Sequence, residues 1–198
     1  MPFTIAILSV ILVYTWVVEP RVPHRLVGAP AAIVVGLGIW HAIRTREWGV
    51  APNALGGAAR ASALFTAAGV ILLLGIGAAL GTLHDRRDLL GNLAVLIVWG
   101  GAQQWILQTV ILREAQRATS RRTSVVLAAL LFAALHLPNP FLFAATLAGA
   151  LGWCTIYHRY PNVLPLALSH AFATLAILYA FDDAITGGLK TGAAYLAR

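Results

Sequence analysis

The stretch LLGNLAVLIVWGGAQQWILQTVIL, residues 89–112, decides how this chain folds. A membrane-crossing helix takes about 20 mainly apolar residues, and this run supplies them without a single charged side chain. Inside it lie Gln103, Gln104 and Gln108, three of the chain's four glutamines. An amide in hydrocarbon must find a hydrogen-bond partner or cost roughly 2–7 kcal/mol. Polar side chains at membrane depth are therefore candidates for function.

Outward from this run, further apolar stretches occupy residues 2–18, 26–43, 61–82, 124–137, 141–157 and 162–181. The expected fold is all-α: a polytopic integral membrane protein with about six to seven transmembrane helices, built as one membrane domain over residues 1–198. The run 124–137 is short, and Pro138 and Pro140 follow it at once; proline cannot continue a helix without losing a backbone bond. His136 thus falls at a helix end, either within protein or at the water interface. Composition agrees with a membrane fold, at 60% hydrophobic and 11% charged residues and a mean hydropathy of +0.81. A soluble domain would carry roughly a quarter charged residues.

The excess of 14 Lys+Arg over 7 Asp+Glu is nearly all arginine, confined to loops and ends. Basic loops are retained on the cytoplasmic side of a membrane. With the N-terminus inside, Arg44, Arg46, Arg60, Arg113, Arg117, Arg121, Arg122 and Arg159 are cytoplasmic, against Arg21, Arg25, Arg86, Arg87, Lys190 and Arg198 opposite. The count favours that orientation. No basic stripe interleaved with aromatics points to nucleic acid. The single cysteine, Cys154, excludes an intrachain disulfide and a cysteine-rich metal site. The first run lacks a basic leader and a small-residue cleavage site, so it reads as a membrane helix rather than a signal peptide.

Breaks between runs are polar or rich in Pro and Gly. Residues 44–60, with Pro52 and the Gly56-Gly57 pair, read as a connection with a short interfacial segment, and residues 113–122 as a helical extension of the preceding run. All seven acidic residues (Glu19, Glu47, Asp85, Asp88, Glu114, Asp182 and Asp183) fall in connecting or terminal stretches. The apolar runs hold no carboxylate.

Gln104 and Gln108, four apart, share one face of an α-helix, while Gln103 is turned away by about 100°. Phe132 and His136 repeat the spacing, as do His170 and Thr174. Three helices thus offer short polar faces that could satisfy one another around a buried site. Amides and hydroxyls also serve as interhelical glue, at about 0.6 kcal/mol per bond.

These residues resemble a known family. Phe132-Ala-Ala-Leu-His136, the following Leu137-Pro138-Asn139-Pro140 and the Pro165-x-x-x-x-His170 spacing are similar to the CPBP family. That family comprises CAAX-processing endopeptidases of prenylated proteins and their bacterial relatives, including bacteriocin-immunity proteins. Its motifs are Glu-Glu-x-x-x-Arg, Phe-x-x-x-His and His-x-x-x-Asn or Asp. The family interval back from His136 lands the two glutamates on Gln103 and Gln104 and the arginine on Gln108, and the final Asn or Asp on Thr174. The resemblance covers a core at about residues 103–175. It implies a site of Gln103, Gln104, Gln108, His136, His170 and Thr174, with no cofactor. It also implies a bacterial inner (plasma) membrane setting, with a membrane-embedded or lipid-modified protein or peptide as partner within the lipid bilayer.

The departures bear on chemistry. In the family the first glutamate, aided by the second-motif histidine, activates water, and the third motif stabilises the oxyanion. An amide has no usable basic lone pair near neutral pH, and general-base catalysis contributes about 10²–10⁴-fold in rate. Losing Glu and Arg together avoids an unpaired buried charge, a pattern of natural divergence. The leading expectation is therefore a family member diverged or inactive as a glutamic protease. One alternative is an enzyme using His136 as base and His170 as oxyanion donor. Another is a bis-His haem or metal protein, although two histidines alone leave zinc short of its usual ligands.

Overall fold

The computed structural model describes residues 1–22, 28–85 and 89–197, with the side chains of residues 89 and 90 left aside. Arg25, Arg86, Arg87 and Arg198 of the charge count, and Asp88, lie outside the described residues. The chain is helical: α1 (Pro2–Val13), α2 (Gly28–Thr45), α3 (Leu55–Leu80), α4 (Leu89–Ile106), α5 (Arg113–Ala118), α6 (Arg121–Ala134), α7 (Pro140–Arg159), α8 (Leu164–Ala180), α9 (Asp183–Thr186) and α10 (Gly192–Leu196). Among the described residues the one β-type pairing outside the helices is an isolated bridge between Val50 and Asn162.

Among the described residues four helical stretches are long and apolar enough to cross a bilayer: Pro2–Arg21, Pro52–Leu80, Gly91–Ala118 and Pro140–Arg159. Leu164–Ala180 is apolar but shorter. The surface explains why the apolar stretches are so exposed. On α3 the buried residues are Ala58, Ser62 and Gly77, whereas Ile71 is 72% exposed. On α4, Val98 is 76% exposed. Large apolar side chains outward and small ones inward invert the water-soluble pattern, and small residues at interfaces are how helices approach closely in lipid. The protein is an integral membrane protein.

The chain divides into two compact units. The first comprises Met1–Trp48, Ile106–Cys154 and Leu189–Arg198. Its core is built from Leu107, Val110, Ile111, Leu112 and Ala115 with Ala128, Ala129 and Ala133 of α6. Glu114, buried in the first turn of α5, reaches the start of α1, where the Phe3 and Thr4 backbone N–H groups donate to its carboxylate at 3.3 and 2.8 Å. The first N–H groups of a helix have no intrahelical partner, and a carboxylate there also meets the positive end of the helix dipole. A long-range cap therefore stands where α1's own sequence offers none. Because charge-assisted bonds contribute about 1.5–3 kcal/mol, Glu114→Ala is expected to lower stability in detergent by roughly 2–4 kcal/mol. A denaturation midpoint equal to wild type would show that this carboxylate does not hold α1.

Residues 113–122 do not form one extension. The helix continues through α5 to Ala118, Thr119 turns extended, and Ser120 caps α6 by accepting from the Thr123 N–H at 3.4 Å. Arg121 and Arg122 thus open the next helix. Ser at an N-cap competes with helix continuation, which a hydropathy reading does not weigh.

The second unit comprises Gly49–Trp105 and Thr155–Gly188. Here α3 packs along α8. Gly77 lies so close to α8 that a Cβ there would overlap the Ala180 carbonyl oxygen and stand 2.8 Å from its Cα. The Thr82 hydroxyl donates to that carbonyl at 2.6 Å, and the Thr66 hydroxyl bonds Ser169 at 2.6 Å. Near the starts of both helices, Ala51 N–H donates to the Pro161 carbonyl and Val163 N–H to the Gly49 carbonyl. The Gly56-Gly57 pair is no break. It lies inside α3, and the Gly57 backbone abuts the Tyr160 ring with no room for a Cβ. Glycine here serves close approach rather than a turn.

Candidate functional site

The second unit brings two of the expected site residues together. Gln104 on α4 and His170 on α8 meet through amide Nε2 and imidazole Nδ1 at 3.1 Å. Gln104 is 0% exposed, and His170 is also buried. The approach is tight one turn earlier at Gly100, while Gly101 packs at ordinary contact distance. A Cβ at Gly100 would stand 3.3 Å from the His170 Cγ, and one at Gly101 would be 3.6 Å from the Ala167 Cβ. Placed so, the amide N–H donates to Nδ1, which fixes the neutral tautomer carrying its proton on Nε2. A carboxylate at position 104 would instead accept a hydrogen bond from an Nδ1–H. Gln103 and Thr174, in the same unit, are half-buried.

The first unit holds Gln108 and His136. Gln108 is also 0% exposed, and it lies within reach of the Cys154 thiol for a hydrogen bond. It sits not in α4 but in a π-helical segment, Leu107–Leu112, that joins α4 to α5. In π-helix the backbone bonds span five residues rather than four. The four-residue spacing from Gln104 therefore does not close a regular α-turn. Such segments are frequent at functional sites, and nothing in an apolar stretch of this kind marks one in advance.

His136 lies just past the end of α6. Its Nδ1 is 3.0 Å from the Phe132 carbonyl oxygen, and its ring meets the Phe132 ring edge-on at 5.2 Å between centroids. This accounts for the Phe-x-x-x-His spacing. The carbonyl four residues back holds the proton on Nδ1, the phenyl ring holds the plane, and Nε2 keeps a lone pair.

The loop after His136 is held by a residue outside the expected site set. Asn139 is buried; its Oδ1 accepts the Leu142 N–H at 3.1 Å, and its Nδ2 donates to the Lys190 carbonyl at 3.0 Å. The Gly192 N–H donates to the Leu137 carbonyl at 3.0 Å. Asn followed by Pro140 at the first helical position is an N-cap arrangement, a signal legible in the sequence. The tie to residues 190–192 was not.

Among the described residues no three His, Cys, Asp or Glu side chains gather as a metal site would require, and the haem or metal alternative gains no support from this geometry. Comparison with known proteins gives one finding. A family model described as type II CAAX prenyl endopeptidase Rce1-like matches residues 85–176. No curated protein and no solved structure gives a significant match.

Proposed function

We propose that this chain, whose residues 85–176 match a family model described as type II CAAX prenyl endopeptidase Rce1-like, is a CAAX protease-like membrane protein diverged from glutamate-dependent hydrolysis. It binds a membrane-embedded or lipid-modified protein or peptide without cutting it in the family's manner, in a bacterial plasma membrane. Gln103, Gln104, Gln108, His136, His170 and Thr174 stand at the positions of the family's hydrolytic residues.

The observation that carries this reading is an amide at each of the two glutamate positions: half-buried Gln103, at the place of the water-activating glutamate, and buried Gln104, bonded to His170. A group that must take a proton from water needs a basic lone pair, and an amide has none at neutral pH. Hydrogen-bond donors remain for holding a carbonyl oxygen, but oxyanion stabilisation without a base leaves the nucleophile unactivated.

The test uses purified protein in detergent with a prenylated CAAX peptide. Binding without turnover above the buffer rate is expected, and His136→Ala is expected to leave that baseline unchanged. The anchored His136, with Nδ1 on the Phe132 carbonyl, favours a second reading in which it acts as the base. Turnover by the wild-type chain that disappears in His136→Ala would establish that reading and overturn the first.

A further inference from the structure

A second concave site lies wholly within the first unit, apart from the family motifs. It is a cavity of about 530 Å³ where the start of α1, the end of α2 and α5 meet, and its walls include Phe3, His41, Arg44, Thr45, Glu114 and Arg117. This volume is within the range of about 300–1,000 Å³ typical of small-molecule sites.

His41 is the informative residue. It is 1% exposed, and neither ring nitrogen has a hydrogen-bond partner. Its ring is held edge-on by Phe3, with centroids 5.1 Å apart. A buried imidazole with two unpaired nitrogens incurs a desolvation cost at each, and an anion in the cavity that its ring lines would relieve the one that carries the proton.

The charges decide the class of ligand. Glu114 is the acid in the wall, and its oxygens already accept from the Phe3 and Thr4 N–H groups. The positive end of α1 offsets its charge further. Arg44 and Arg117 are exposed at the cavity, where Arg44 lies 5.9 Å from the Trp40 ring centre. Arg117 faces Glu47 at 3.6 Å, an ion pair that is itself half open to solvent and therefore weak. Two guanidiniums, one of them loosely paired with Glu47, and an imidazole N–H thus confront a Glu114 carboxylate that is already occupied, and the balance favours an anion. Guanidinium geometry matches phosphate oxygens in pairs.

The surroundings favour one source of that anion. Trp40 is 53% exposed and Ile43 62% exposed beside the cavity, as expected where a helix leaves hydrocarbon for the headgroup layer. Basic pockets between membrane helices at that depth suit lipid headgroups. We propose that this cavity binds a phosphate group, supplied by the headgroup of a membrane phospholipid whose acyl chains lie along the exposed face of α2. The proposal is independent of the hydrolytic reading.

Detergent-solubilised full-length protein can be titrated with short-chain phosphatidylglycerol, with the matching diacylglycerol that lacks phosphate, and with inorganic phosphate. Saturable binding of phosphatidylglycerol and none of diacylglycerol is expected. The double variant Arg44→Gln/Arg117→Gln, changed only at exposed positions, should bind at least tenfold more weakly while keeping its melting temperature within a few degrees. Inorganic phosphate binding as tightly as the lipid would assign the site to the free anion and overturn the lipid source. No saturable binding of either phosphate probe, or equal affinity in the folded double variant, would overturn the site altogether.

Discussion

Hydrolysis of a prenylated CAAX peptide is the expected result of the triple substitution Gln103→Glu, Gln104→Glu, Gln108→Arg. The base returned by the first two changes contributes about 10²–10⁴-fold in rate, enough to raise turnover clearly above the wild-type baseline. The three changes belong together for an energetic reason. Gln104 and Gln108 are both fully buried, and an isolated buried charge left without a partner costs about 3–5 kcal/mol. Gln108→Arg alone should therefore lower stability markedly, and adding the two acids should recover part of the loss. Adding His136→Ala to the triple variant should remove the gained activity, since that imidazole is held ready by the Phe132 carbonyl. A triple variant that folds, binds the peptide and remains inert would show divergence reaching beyond the missing base.

The second large effect is structural. Gly77→Val should cost roughly 2–4 kcal/mol, combining overpacking of about 1–3 with the loss of about one hydrogen bond. The atoms in the way belong to the α8 backbone at Ala180, which cannot swing aside as a side chain could. Separation of α3 from α8 would also break the bond from the Thr82 hydroxyl to the Ala180 carbonyl. Gly75→Val provides the control on the same helix, because a Cβ at Gly75 meets nothing within 4 Å. Its expected change is within about 0.5 kcal/mol. Equal midpoints for the two variants in a detergent melt would refute close packing at Gly77.

Gly77 and Gly75 differ in nothing that a sequence displays, and this marks a general boundary in the molecule. The same holds for Gly57, which reads as half of a chain break and instead meets the Tyr160 ring inside α3. Gly100 likewise gives no local sign that it clears space for the His170 ring. Hydropathy located the apolar stretches because the cost of leaving the backbone unpaired in lipid forces long uninterrupted helices. It did not establish their lengths: the run starting at residue 61 begins as helix at Leu55.

What the sequence determined by itself is chemical. Residue identities alone exclude a carboxylate from the apolar runs and set three amides and two histidines in or at the ends of them; that the amides stand where the family has acids is what the resemblance implies. These follow from side-chain type and chain spacing, which no packing can alter. Which glutamine reaches which histidine was a tertiary matter, because it depends on how α8 settles against Gly100 and Gly101 and not on any spacing within α4. The shift into π-helix before Gln108 and the cap that Glu114 places on α1 from 110 residues away are of the same kind. Both arise from contacts between segments distant in the chain, whose energies a reading of local pattern does not contain.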